Sequence, residues 1–323
     1  MPSNITKNDV NIFLVARRKS NMPLLKSISE AIYDNDYPRD VLGIICEYIS
    51  HTQRVFCGRD RSIILKNGGV LHSWGYDSYC QISDTPKGSG FTEISAGEDH
   101  SIALKDDGTL HSWGYNDFGQ ISDTPKGSGF ISVSAGDDHS VVLKDDGTLH
   151  SWGNNNRRQV SNTPKGSGFI EISVCGYHSV ALKNDGTVYF WGWNPNGQIS
   201  DIPKGSEFIS VSVGLEHCIA LKDDGTIHSW GINGKVFDTP KGSGFISISA
   251  GEFHDIALKD DGTLHSWGSN GHCGISDTPQ GSGFISVSVA ERHSIALKDD
   301  GTLHSWGYDN FGQVSKTPKS IYF

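Results

Sequence analysis

The chain has 323 residues, 36% of them hydrophobic, with 39 glycines and a formal net charge of −10. That composition suits many short strands joined by tight turns rather than helices, and no apolar run approaches the roughly 18 residues of a membrane span. An acidic balance is a poor match for a phosphate backbone, which rewards clustered Lys and Arg, so neither nucleic acid nor membrane is expected as a partner.

Residues 1–20 show no clear period. Their short Ile12–Val15 apolar patch, set among Lys7, Arg17, Arg18 and Lys19, is too weak for a secretory signal. Leu24, Leu25, Ile28, Ala31 and Ile32 fall at helical spacing and predict a short amphipathic helix. Asp34-Asn35-Asp36 breaks it, and Pro38 sits in the first turn of a second helix, where its missing N–H costs little. Val41, Leu42, Ile44, Ile45, Tyr48 and Ile49 give that helix a wide apolar face. The run Tyr37 to Ile49 resembles the opening of an F-box, L-P-x-E-[IL]-L-x-x-I-L-x-Y-L, with Tyr37 at the first Leu. That resemblance implies binding to a ubiquitin-ligase adaptor. The alternative is a helical plug packed on the chain that follows. Six basic and six acidic side chains balance within residues 1–52, so the excess negative charge lies in 53–323. The predicted organisation is a helical extension over 1–52 and one large domain over 53–323.

From residue 53 the chain repeats. A Trp followed by Gly recurs at Trp74, Trp113, Trp152, Trp191, Trp230, Trp267 and Trp306, with gaps of 39, 39, 39, 39, 37 and 39 residues. Before each Trp stands a block of the type Ser-Ala-Gly-x-x-His-Ser-x-x-Leu-Lys-Asp-Asp-Gly-Thr; between repeats runs Asp-Thr-Pro-Lys-Gly-Ser-Gly-Phe. Fixed periods of this size mark repeat architectures. In the second copy, alternation predicts strands over Phe91–Ala96, His100–Lys105 and Thr109–Trp113, the last two joined by a tight Asp106-Asp107-Gly108 hairpin. His100, Ile102 and Leu104 face one way, with Ser101, Ala103 and Lys105 opposite; His111 and Trp113 share one face of the third strand. The first copy diverges, with Arg61 in the His position, as terminal repeats do. The tail from Thr317 starts an eighth copy and is expected to lean on the first repeat.

The run Ile94-Ser95-Ala96-Gly97-Glu98-Asp99-His100-Ser101-Ile102-Ala103-Leu104, and again Val133 to Leu143, resembles the signature of the regulator of chromosome condensation repeat family. The W-G-x-N-x-x-G-Q run from Trp113 to Gln120 is a second mark of it. The resemblance implies an all-β, seven-bladed β-propeller, a ring in which each blade buries its faces against its neighbours. Family blades usually hold four strands. Here the Ile-Ser-Asp-Thr-Pro-Lys-Gly-Ser-Gly segment occupies the fourth place, and its Pro and Gly predict a short or irregular strand. Protein–protein interaction is the function expected. Alternatives are guanine nucleotide exchange on a small GTPase, the activity of the family's founding member, and a ubiquitin-ligase substrate receptor acting through the F-box-like helix.

No catalytic constellation stands out, since every Ser and His near the consensus recurs around the ring, and no cofactor or metal is expected. His100, His139, His178, His217, His254 and His293 form one recurrent set, and His72, His111, His150, His228, His265 and His304 another. Ligands supplied once per blade lie too far apart for one ion, so the imidazoles are read as structural, tying strand to strand. The Asp pairs of the hairpins are read as turn formers that make one side acidic and attractive to a basic partner. None of the six Cys forms a C-x-x-C pair, which fits reduced thiols in an intracellular protein, cytoplasmic or nuclear. Departures from symmetry are the best pointers to an interface: Arg157 and Arg158 after the third Trp, Tyr177 and Trp193 in the fourth copy, and Leu215, Phe253 and Arg292 at the free positions of the Gly-x-x-His block. Aromatic and Arg side chains are typical interface anchors.

Overall fold

The computed structural model describes residues 55–194, 207–231, 238–270 and 274–322. The two helices predicted over 23–49, including the F-box-like run, lie outside these residues. The repeats form seven three-stranded antiparallel sheets, each in the order first, second, third strand. The first blade comprises β1 (Val55–Cys57), β2 (Arg61–Lys66) and β3 (Val70–Gly75). The second comprises β4 (Phe91–Ala96), β5 (His100–Lys105) and β6 (Leu110–Gly114). The same triplet recurs up to the seventh blade, whose strands run Phe284–Val289, His293–Lys298 and Leu303–Gly307.

The predicted strands match within a residue. Thr109 falls in the hairpin rather than in β6, because the Asp107 carboxylate accepts both its N–H and its hydroxyl, at 2.9 and 2.6 Å. The fourth segment forms no strand in the second blade. It coils into turns in which the Asn116 side-chain oxygen accepts the N–H groups of Ile121 and Ser122, at 2.8 and 2.9 Å. Asp77, Asn155, Asn270 and Asp309 do the same in their blades. That is the local reason for the Asn of W-G-x-N: a side-chain acceptor competes with a sheet ladder for two backbone donors.

Alternation along the strands places the core between blades. Ile102 and Leu104 of β5 pack against Phe130, Val133, Val142 and Trp152 of the third blade. From the opposite face, Ala103 joins Trp113 and Ile94 against Ile63, Leu65 and Leu71 of the first blade. No blade has an apolar interior of its own, so each depends on its neighbours. First strands pack against first strands all round the ring, with β1 against both β4 and the seventh blade's first strand. The ring is therefore closed, and the first strands line its axis.

Closure has a detail the sequence only hinted at. The tail pairs with the seventh blade: Thr302 bridges Ser320, and the Ile321 N–H reaches the Gly301 carbonyl at 3.0 Å. Elsewhere this second bond is made by the Phe that opens the next blade, as Phe130 does to Gly108. Ile321 thus takes that Phe position and buries itself beside Val55, Ile64, Trp74 and Leu297, in the seam between the seventh and first blades.

Candidate functional site

The buried imidazoles join blade to blade rather than strand to strand. His100 Nε2 meets Ser140 Oγ of the next blade at 2.8 Å, and His139 meets Ser179 at 2.8 Å. His254 meets Ser294 at 2.7 Å, and His293 meets Ser62 across the closing seam at 2.9 Å. Arg61 stands in for the first His: its guanidinium donates to Ser101 Oγ at 3.0 Å and to the His100 carbonyl at 2.6 Å. His217 faces a carboxylate instead, with both Asp255 oxygens within 2.8 Å. At His178 the facing position carries Cys218, and neither ring nitrogen has a hydrogen-bond partner. Burial pushes His100, His139 and His293 down to about 3, so they are neutral acceptors or donors fixed in place. The second histidine set lies outside this ring. His111, His265 and His304 stand edge-on to Phe91, Phe245 and Phe284, each with centroids 5.5 Å apart.

A second lock uses the Trp and Gln of the repeat. The Trp113 indole N–H donates to the Gln81 carbonyl of the preceding blade at 2.8 Å, Trp152 to Gln120 at 2.9 Å, and Trp74 to Gln313 across the seam at 2.9 Å. The Gln81 side chain accepts the Tyr79 N–H and donates to Asp99 of the next blade, both at 2.8 Å. The consensus residues are thereby used up in holding the ring together.

What remains lies on one face, at the turns joining first and second strands. The inner position of these turns carries Arg59, Glu98, Asp137, Gly176, Leu215, Glu252 and Glu291; the outer carries Asp60, Asp99, Asp138, Tyr177, Glu216, Phe253 and Arg292. Gly97, just before the turn, has no room for a side chain, because a Cβ there would strike the Gly136 carbonyl of the next blade. The N–H of Glu98 bonds that same carbonyl at 3.3 Å, and that of Asp137 bonds Gly176 O at 3.1 Å. These bonds draw the inner positions into a mouth around the axis. Arg59 spans it, pairing with Glu98 on one side and with Glu291 at 2.7 Å on the other. Burial, Asp138 and, less strongly, Glu291 and Asp99 push the Asp137 carboxyl up to about 6 against the opposing pull of Arg59.

Outside the mouth stands an arc of aromatic rings. Among the described residues, those two places beyond a Trp are bonded to an outer turn position, as Tyr115 N–H is to the Asp99 carbonyl at 2.9 Å and Trp193 N–H to the Tyr177 carbonyl at 3.0 Å. Rings then meet across blade boundaries: Phe311 with Tyr76 at 4.8 Å and Tyr79 with Tyr115 at 4.9 Å. Trp193 stands edge-on to Tyr177 at 6.0 Å, and the Arg157 guanidinium lies over Trp193 at 5.4 Å.

Of the symmetry-breaking residues, Arg157, Trp193 and Tyr177 therefore form one cluster on this face. Arg292 pairs with Glu291 at 2.7 Å and stacks over Tyr308 at 5.6 Å. Leu215 lies against Gly176 at the mouth, and Phe253, whose carbonyl accepts the Ser269 N–H, occupies the outer ring. Arg158 is exposed, with a left-handed φ of 62° where Gly119 and Gly312 stand in sister blades. Sequence symmetry hid the mouth carboxylates and Tyr76, Tyr79, Tyr115, Phe118 and Phe311. They recur at equivalent places in several copies, and so read as consensus. Their signal was position: two and five residues beyond Trp, outside both locks.

Among the described residues no group of three or more His, Cys, Asp or Glu could hold a metal ion, and no helix is long and apolar enough to cross a membrane.

Seven three-stranded blades, closed by inter-blade His–Ser and Trp–Gln bonds, define a β-propeller with an acidic mouth and an aromatic rim on one face. The model of the regulator of chromosome condensation (RCC1) repeat matches residues 91–120, 130–159, 169–198, 208–235, 245–274 and 284–313, and the chain belongs to that family. No curated protein matches it. Among solved structures, the ectodomain of the receptor kinase ACR4 from Arabidopsis thaliana is similar, with a TM-score of 0.70, 21% identity, and 83% of this chain and 98% of that one covered. Prp20p from Saccharomyces cerevisiae, described with its binding to Gsp1p and histones, has a TM-score of 0.65 and 19% identity over 84% and 86% of the two chains. Human WBSCR16 has a TM-score of 0.64 and 18% identity over 76% and 88%.

Proposed function

We propose that this chain is a non-catalytic interaction propeller that binds another protein through the face bearing the acidic mouth and aromatic arc. One observation carries the reading: recurrent polar side chains are spent on inter-blade bonds, whereas Tyr79, Phe118 and Phe311 on this face remain 45, 41 and 38% exposed. Apolar surface kept at that exposure, beside a mouth of net negative charge, is what a docking surface needs. The test is a photo-crosslinking residue placed at Phe118, compared with one at Asp107 in the hairpin of the opposite face. Specific capture from position 118 alone is expected; equal or absent capture from both removes the proposal.

A second reading is guanine nucleotide exchange, supported by the fold shared with Prp20p, whose description includes binding to Gsp1p. The short, even repeats leave little room for a protruding wedge to prise a nucleotide out, which is why interaction alone comes first. A nucleotide-release assay against a panel of small GTPases separates the two. The adaptor-binding reading of residues 37–49 is tested by comparing adaptor capture with and without residues 1–52.

A further inference from the structure

We propose that this face takes an extended cationic segment rich in Arg and Lys, its charges held at the acidic mouth and its side chains laid along the aromatic arc. The inference rests on the interaction reading above and names the chemistry of the partner.

Charge is the first support. The inner and outer turn positions carry eight carboxylates against Arg59 and Arg292, a net −6 of the chain's −10. Both arginines are already paired, Arg59 from two sides and Arg292 with Glu291. The Asp137 carboxylate accepts no hydrogen bond from any described side chain while facing Asp138, Glu291 and Asp99. A mouth in this state gains from one more cation and repels an anionic partner.

The second support is independent of charge. The arc already displays the stack that an incoming Arg would make, twice, with the protein's own side chains: Arg157 over Trp193 and Arg292 over Tyr308. Guanidinium groups favour aromatic faces over their edges. Tyr79 and Phe118 present the same chemistry with no cation over them among the described residues.

The third support is registration. The Tyr76 N–H bonds the Asp60 carbonyl at 3.0 Å and the Tyr115 N–H bonds the Asp99 carbonyl at 2.9 Å, so the ring-bearing and carboxylate-bearing residues are joined backbone to backbone in each of these blades. One Arg can meet both. The hairpin Asp pairs, expected from sequence to draw a basic partner, serve less well. Asp107, Asp146, Asp224 and Asp261 are engaged by the following Thr, and a Lys such as Lys105 stands beside each.

The test uses the full chain and two fluorescent twelve-residue peptides, one alternating Arg with Ser and one Glu with Ser, read by anisotropy. The Arg peptide should bind and the Glu peptide should not, with affinity falling about tenfold on raising salt from near 50 to near 300 mM. Asp137→Asn with Asp138→Asn should cost about tenfold. Tyr79→Ala with Phe118→Ala should cost about fivefold and leave the salt dependence unchanged. Asp106→Asn with Asp145→Asn, on the opposite face, should change nothing, and thermal unfolding verifies that each variant is folded. Equal binding of the two peptides, indifference to the mouth variants, or an equal loss from the opposite-face variants overturns the inference. If crosslinking at position 118 captures a partner that the mouth variants still retain, the interaction reading survives and the cationic segment does not.

Discussion

His178 is the residue that departs furthest from its six counterparts. Its imidazole is buried without a partner because the next blade offers Cys218 where the others offer Ser or, at His217, Asp255. Restoring the hydroxyl with Cys218→Ser should raise stability by about 1 kcal/mol, and removing one with Ser140→Ala should lower it by about 1–3 kcal/mol, both read by urea unfolding. Protonation tests the same ring. A base whose folded pKa lies below its free value of about 6.5 contributes stability above that value and loses it as pH falls toward the folded pKa. His100, His139 and His293 sit at about 3 and His178 at about 4, while Asp137, raised to about 6, is relieved as pH falls and opposes them. The buried imidazoles outnumber the raised Asp137, so stability should fall from pH 6 to pH 4, each uncompensated proton contributing about 1.4 kcal/mol per pH unit. Unfolding midpoints that stay level from pH 7 to 5 would show that the imidazoles accept protons in place. Arg158 carries its own cost, since a left-handed backbone suits Gly far better; Arg158→Gly should gain about 0.5–1 kcal/mol in the same assay.

The three strands of a blade were legible because a period of two runs unbroken through residues such as His100 to Lys105 and is punctuated by Gly. The missing fourth strand was legible for the converse reason, the Pro and Gly of Thr124 to Gly129. What the alternation could not say is which neighbour a face meets. His100 read as a polar residue needing a partner, and only the stagger of blades around an axis puts that partner 40 residues downstream at Ser140. The Trp–Gln clasp is the same kind of fact. Gln120 is fully buried, yet it accepts the Phe118 N–H, donates to Asp138 and lends its carbonyl to Trp152. Gln120→Ala should therefore cost about 1–3 kcal/mol by removing both the acceptor of the Phe118 N–H and the donor to Asp138. Unfolding followed by Trp fluorescence measures it, and a loss under about 0.5 kcal/mol, as at an ordinary surface site, would show that the Gln120 side chain adds nothing to the carbonyl's bond with Trp152.

At the scale of the ring, seven near-copies are made into a closed body by one exception, the seam filled by Ile321. Ile321→Ala should cost about 2–4 kcal/mol, the usual range for emptying a buried aliphatic site; a cost like that of an exposed residue would mean the seam holds without it. The candidate site was half legible for a reason that also operates at this scale. Arg157, Trp193 and Arg292 stood out as departures from the repeat, but a face is assembled from what the copies share as well as from where they differ. Carboxylates spread one or two to a blade become a cluster only when the blades converge on an axis.

That seam has a temporal side. A ribosome delivers Val55 first and Ile321 last, so the oldest blade waits with one greasy flank bare while all the others emerge. At about 5–20 residues per second the wait is roughly 15–50 s. Throughout it the nascent chain is a sticky, one-sided stack, and a chaperone that shields Val55 and Ile64 would be working against the clock of translation itself.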